Sequence, residues 1–309
     1  MKNKVIIGSL ITTLLAFMLY SLNLRRVQNT SVEIVGQTQS VKKERGKGKL
    51  PHEPKVAEVE YPTHVQIVSG SDQTWAKQIE TLMGKDQSYQ VAVQDLNSGK
   101  FARVANTTKA HGVTETGRLF LLAAVFYQEE HGQLTSHSAI KVKKSDRAKG
   151  EKALQPGIAY GTSFLRQTLM QGNKTAGNVL LRKVKPQKVN AMAKKMGARS
   201  TKFSKKYTAN PLAQTTANDL VAVMDDLYKN KTLSRQYSNL TLGSLNQNAT
   251  GQKPKLVQKI HGATVYAIGD DRSSVAIIEN NGQAYCVAVW SNSNKKFAKL
   301  GEAVSNFFK

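Results

Sequence analysis

Strand-like apolar segments stand near both ends of the globular part of this chain, with a long helical section between them, and that order limits the folds open to it. Trp75 to Met83 spaces its apolar residues as one helix face. Tyr89 to Asp95 then reads as a strand, Asn97-Ser98-Gly99 as a turn, and Lys100 to Ala105 as a returning strand. From about Thr116 to Tyr228 the chain is rich in Leu, Ala and Lys and reads as helical. Ser273 to Glu279 and Gln283 to Trp290 are strands again, flanking Asn280-Asn281-Gly282, a hairpin signal. Lys295 to Phe308 closes as an amphipathic helix. The two ends are expected to share one antiparallel sheet, giving a two-part α+β architecture with helices against the sheet and a helical subdomain.

The first residues follow different rules. After a short basic start at residues 1–4 (Lys2, Lys4), Val5 to Leu22 is almost wholly apolar. As a helix it would rise about 27 Å, close to the hydrocarbon thickness of a bilayer. Tyr20-Ser21-Leu22-Asn23-Leu24 offers no small-x-small cleavage site, and the only cysteine is Cys286. A single-pass anchor over 5–22 is therefore expected ahead of a cleaved signal segment, which would give a secreted protein instead. Arg25 and Arg26 match the basic charge on the other flank, so charge alone does not orient the anchor. Residues 23–62 are polar and basic without apolar periodicity and read as a tether. Residues 63–309 remain for the folded domain. Cys286, inside the apolar run Ala284 to Trp290, is expected as a small buried hydrophobe.

Three stretches carry a resemblance. Thr114-Glu115-Thr116-Gly117-Arg118 followed by Leu119 to Val125 resembles the active-site helix of class A β-lactamases and related penicillin-interacting serine hydrolases, which opens with S-x-x-K. Gln171-Gly172-Asn173-Lys174-Thr175-Ala176-Gly177-Asn178-Val179-Leu180-Leu181 resembles that family's S-D-N-T-A-x-N-x-L-L segment. Gln214-Thr215-Thr216-Ala217-Asn218-Asp219-Leu220 resembles its T-T-x-x-D-L segment. The resemblance runs from about Gln73 to Lys309 and implies the β-lactamase/transpeptidase-like fold, with a cleft between sheet and helices and a domain outside the cytoplasm.

Position by position, the chemistry the resemblance implies is absent. Glu115 stands for the nucleophilic serine and Arg118 for the lysine, and a guanidinium does not deprotonate in proteins. An i,i+3 ion pair at a helix N-terminus is the expected role for these two. Gln171 and Gly172 replace the Ser and Asp of the second motif, while Asn173 could still present an amide to substrate. Asn178 is expected to brace a loop. Lys259-Ile260-His261 is the candidate for K-T-G, with Lys259 lending positive charge beside the cleft. No Asp or Glu lies between Glu151 and Asp219, where class A enzymes carry their deacylating glutamate. Genuine S-x-x-K strings at Ser40, Ser138 and Ser293 fall in the tether, a surface stretch and the last loop, none of them suited to a nucleophile.

The formal charge is +24, and it is unevenly placed. Arg182, Lys183, Lys185, Lys188, Lys194, Lys195, Arg199, Lys202, Lys205 and Lys206 form an acid-free block, which reads as a solvated face or as an anion-binding surface. For a membrane-anchored protein with its domain outside the cell, the expected partners are the membrane and an anionic wall polymer or peptidoglycan. Nucleic acid is disfavoured, because no binding motif appears and aromatic content is 7%. The six histidines show no metal-ligand spacing, and no cofactor is expected. The leading expectation is thus a catalytically inactive family homologue that binds wall material or an envelope partner. Two alternatives are an active hydrolase of β-lactams or peptidoglycan with an altered site, and a purely electrostatic binder of wall polymer or nucleic acid.

Overall fold

Alternation along two neighbouring strands sets the architecture. In the computed structural model, which describes residues 64–203, 206–207, 211–245 and 253–308, β10 (Ser273–Asn280) pairs antiparallel with β11 (Gln283–Ser291) around Asn281 and Gly282. Both turn residues take positive φ, 50° and 77°, the left-handed pair that a tight two-residue hairpin needs. Ala284, Cys286, Ala288 and Trp290 point to one side of the sheet, and Tyr285, Val287 and Val289 to the other. Both sides are buried, so this sheet is covered twice. The expected anchor over 5–22, the tether and Ser40 lie outside the described residues.

The main sheet has six strands in the order β1-β3-β2-β11-β10-β9. Here β1 is Gln66–Ile67, β2 Tyr89–Asp95, β3 Phe101–Ala105 and β9 Thr264–Gly269. The two ends of the chain do share one antiparallel sheet, as β2 pairs with β11 from Tyr89↔Ser291 to Asp95↔Tyr285. On one face, α1 (Gln73–Met83) and the final helix α8 (Phe297–Ser305) cover Val91, Val93, Val287 and Val289. The final helix is shorter than its amphipathic pattern suggested, and Asn306–Phe308 continues as a 3-10 turn whose Phe307 stacks on Trp75.

The other face carries the helical part. Helix α2 (Glu115–Glu130) buries nearly everything from Thr116 to Phe126, as a helix apolar on all sides must. Around it pack α3 (Thr162–Met170), α4 (Lys174–Val184), α5 (Pro186–Lys195) and α7 (Arg235–Ser244), while α6 (Ala217–Tyr228) lies on the sheet against β2 and β11. The middle section is not purely helical. It holds β5 (Ala139–Lys141) paired with β6 (Ala159–Gly161), and a three-stranded sheet of β4 (His111–Val113), β8 (Ala213–Thr215) and β7 (Lys202–Phe203). Strands of two or three residues are too short to show a period in sequence. Cys286 is fully buried, and burial pushes its thiol pKa up.

Candidate functional site

The N-terminus of α2 meets the end of strand β9, and the contact there is made by acids. Thr114 precedes the helix without a side-chain cap. The Asp270 carboxylate, in the turn after β9, takes that place. Its Oδ2 accepts from the Glu115 N–H at 3.4 Å, and its Oδ1 accepts from Arg272 N at 2.8 Å and Ser273 N at 2.9 Å. Beside it, the buried hydroxyls of Thr116 and Ser273 lie 3.0 Å apart. A free helix N-terminus attracts anions. In this protein one of its first N–H groups is met by the chain's own carboxylate.

One turn further on, Arg118 grips Glu115 with two bonds, Nη2 to Oε1 and Nη1 to Oε2, both 2.5 Å. The expected i,i+3 pair is present, and it is largely buried: the side chains are 4% and 29% exposed. Arg118 also donates to the Met170 carbonyl at 3.4 Å and to the Tyr207 hydroxyl at 3.5 Å. Burial pushes the Glu115 carboxyl above its usual range; Arg118 pulls it back down and Asp270 pushes it up again. Burial likewise raises Tyr207, against the pull of Arg118.

Gly172 lies against the Arg118 guanidinium. Its φ is +97°, and a Cβ placed there would stand 3.4 Å from Arg118 Nη2. A side chain at 172 would be strained by that backbone angle, with its Cβ in van der Waals contact with the guanidinium. Gln171 ends α3, exposed to solvent. The expectation that Asn173 presents an amide to substrate is corrected in part, because its Oδ1 caps α4 by accepting from Ala176 N at 2.8 Å. Asn178 does brace the loop. Its Nδ2 donates to the carbonyls of Asp146 and Tyr207, both at 2.9 Å, and its Oδ1 accepts from Tyr207 N at 2.6 Å. Glu151 sits over the same helix start and accepts from Lys174 N, Thr175 N and Thr175 Oγ1 at 2.7, 2.8 and 2.6 Å.

Lys259-Ile260-His261 is not at the cleft. Strand β9 pairs Thr264 with Glu279 at one end and Gly269 with Ser274 at the other, and the hydrogen bonds to the start of α2 are made beside the Gly269 end, by Asp270 and Ser273. The Lys259 segment precedes the opposite end, about 17 Å away along the strand. There Lys259 pairs with Glu302 of α8 at 2.6 Å, Ile260 joins the core under α8, and His261 is exposed. At the cleft end of β9 stand Ile268, Gly269 and Asp270 instead. The apolar register of β9 was the signal that could have moved the motif to this position. Tyr207 was also missed, although it is the sole tyrosine between Lys185 and Thr216.

Among the described residues, the S-x-x-K positions at the start of α2 hold Glu115 and Arg118 and no hydroxyl, thiol or amine. Thr116 is fully buried and bonded to Ser273. Of the serines in S-x-x-K strings, Ser138 has its Oγ engaged with Thr135, and Ser293 donates its backbone N–H to the Ser291 hydroxyl. The described members of the basic block lie on α4, α5 and the segment after them, and only Arg182 has a carboxylate partner, gripping Asp146 at 2.8 Å. Lys205 lies outside the described residues.

A profile of the β-lactamase enzyme family matches residues 74–308. The chain belongs to that family. Among solved structures, it is similar to PBP-A at 17% identity and TM-score 0.66, over 76% of this chain and 96% of that one. The TLA-3 extended-spectrum β-lactamase matches at 19% identity and TM-score 0.66, over 76% and 98%. A β-lactamase from Sphaerobacter thermophilus DSM 20745 matches at 16% identity and TM-score 0.62, over 76% and 95%. At these identities the likeness is one of fold. No curated protein sequence matches the chain. The β-lactamase-like fold expected from the sequence is the fold observed, and the departures lie at the positions where that family does chemistry.

Proposed function

We propose that this is a catalytically silent β-lactamase homologue, held at the cell membrane with its domain outside the cytoplasm, which binds anionic wall material or an envelope partner. The observation that carries the proposal is the state of the α2 N-terminus. Acyl transfer in the family needs a nucleophilic hydroxyl, an amine able to take its proton, and backbone N–H groups open to the developing oxyanion. Here Glu115 and Arg118 hold each other, and the Asp270 carboxylate faces the Glu115 N–H. A second anion at that point would meet like charge on two sides. The described lysines of the basic block, none of which has a carboxylate partner among the described residues, support the binding half of the reading.

The test is incubation of the purified protein with a fluorescent penicillin, followed by intact-mass and peptide mass spectrometry, with a thermal melt to show that the sample is folded. The expected result is no adduct. A stoichiometric adduct lost on mutation of one cleft residue would overturn the reading and identify the true nucleophile. The altered-hydrolase alternative has one observation in its favour, the raised pKa of Glu115 beside Asp270. It requires that Glu115→Gln abolish some turnover of a wall-derived substrate.

A further inference from the structure

Helices α2 and α5 leave a groove between them that is remote from the α2 N-terminus. Its volume is about 280 Å³, and its floor is largely apolar, made by Ala124, Val184 and Met192 with Ala191 at the edge, while the buried Gln128 that also lines it donates its Nε2 to the Val184 carbonyl at 3.4 Å. Ala124 lies nine residues beyond Glu115, about 13 Å along the α2 axis, so the groove is separate from the site above. Two lysines of α5 border it. Lys188 and Lys195 are seven residues apart, two turns of helix, and project from one face.

Neither lysine has a carboxylate partner among the described residues. Lys188 donates to Gln133 Oε1 at 3.1 Å, and Lys195 lies 4.9 Å over the Tyr127 ring with its Nζ 3.4 Å from the Tyr127 hydroxyl. The acids on the same stretch of α2 are turned to other tasks. Glu129 is paired with Arg166, and Glu130 accepts from Ser234 N at 2.9 Å. Two exposed ammonium groups thus hang over an apolar trough, inside a stretch of sequence that holds no acid from 152 to 218.

We infer that this groove is a docking site for an anionic amphiphile, a molecule with a phosphate or carboxylate head on an alkyl chain. Charge complementarity selects the head: an anion at the rim replaces neutral partners of Lys188 or Lys195 with a charge-assisted bond. The floor selects the tail, because Ala124, Val184 and Met192 offer no hydrogen bond to a wholly polar polyanion. An exposed row of lysines on a flat polar face would not discriminate in this way. The inference rests on the binding half of the function proposed above, and gives that half a ligand class. It does not depend on the loss of catalysis.

The test uses amine acylation of the full-length protein, read lysine by lysine by peptide mass spectrometry. Three probes are compared below their micellar concentrations: dodecyl phosphate, dodecyl maltoside, and glycerol phosphate. Dodecyl phosphate is expected to lower the acylation rate of Lys188 and Lys195 several-fold while Lys194, exposed on the same helix but outside the groove, keeps its rate. The maltoside, with chain and no charge, and glycerol phosphate, with charge and no chain, are expected to protect neither. The variant A191W fills the groove from its exposed edge and should remove protection without lowering the melting temperature. Equal protection by glycerol phosphate, equal protection by the maltoside, uniform protection that includes Lys194, or no protection would each overturn the inference. If A191W fails to fold, the wild-type comparison of the three probes still decides. The penicillin experiment is unaffected by any of these outcomes, so the two readings fail separately.

Discussion

Replacing Arg118 by methionine tests whether the Glu115–Arg118 pair is a structural element of the fold. The guanidinium is 4% exposed and makes two bonds of 2.5 Å to Glu115, so its removal leaves a mostly buried carboxylate facing Asp270. Breaking a buried pair from one side typically costs about 3–5 kcal/mol. Glu115 keeps some contact with water, which places this case near the lower end, at about 3 kcal/mol. For a domain of this size that is a fall in Tm of about 6–12 °C. The assay is urea unfolding with a double-mutant cycle through Glu115→Leu. The double variant, an apolar pair of similar volume, should recover most of the loss, with a coupling of about 2 kcal/mol. The destabilisation of Arg118→Met should also shrink at acid pH. With its partner gone, the folded-state pKa of Glu115 rises further, so the folded protein binds more protons than the unfolded one between the two values, and stability falls as pH rises through that window. A loss below about 0.5 kcal/mol, or an additive cycle, would refute the reasoning.

Other expectations follow from the same site and its supports. Glu115→Ser with Arg118→Lys should form no penicillin adduct while Asp270 remains, whereas adding Asp270→Gly should allow slow acylation; an adduct in the double variant would show that Asp270 does not block the helix N-terminus. Asn178→Ala removes three buried bonds between α4, Asp146 and Tyr207 and should cost about 2–4 kcal/mol in urea unfolding, because the opposed backbone groups are left unsatisfied. Gly301→Ala should be severely destabilising, since its Cβ would stand 1.8 Å from the Leu256 carbonyl oxygen. Gly243→Ala, with nothing within 4 Å in α7, should instead stabilise by about 0.5–1 kcal/mol, measured by the same unfolding assay. In the wild-type protein, the raised pKa of Glu115 contributes stability that is complete below the unfolded value near 4.5 and is lost as pH rises through its folded pKa, so Glu115→Gln should flatten the stability profile over that range.

Local rules were enough for much of the fold. The Asn280-Asn281-Gly282 hairpin, the strands on either side of it, the β2–β3 pair and the apolar α2 are all set by period, turn chemistry and burial, which act between near neighbours in sequence. The presence of Glu115 and Arg118 at the S-x-x-K positions was equally legible, since residue type is read directly, and an i,i+3 spacing already allowed an ion pair. Contacts made across the fold were not legible. The Lys259 segment resembled K-T-G locally, yet the register of β9 against β10 puts it at the far end of the strand, and register is decided by pairing over the whole sheet. Short strands β4 to β8 exist only because tertiary neighbours supply their hydrogen bonds. Asp270 and Tyr207 reach the start of α2 from 155 and 89 residues away respectively. A carboxylate's partner at such a separation is fixed by where the chain folds back, so the sequence by itself determined that Glu115 and Arg118 stand at the positions of the family's serine and lysine, and only the tertiary structure decided what surrounds them.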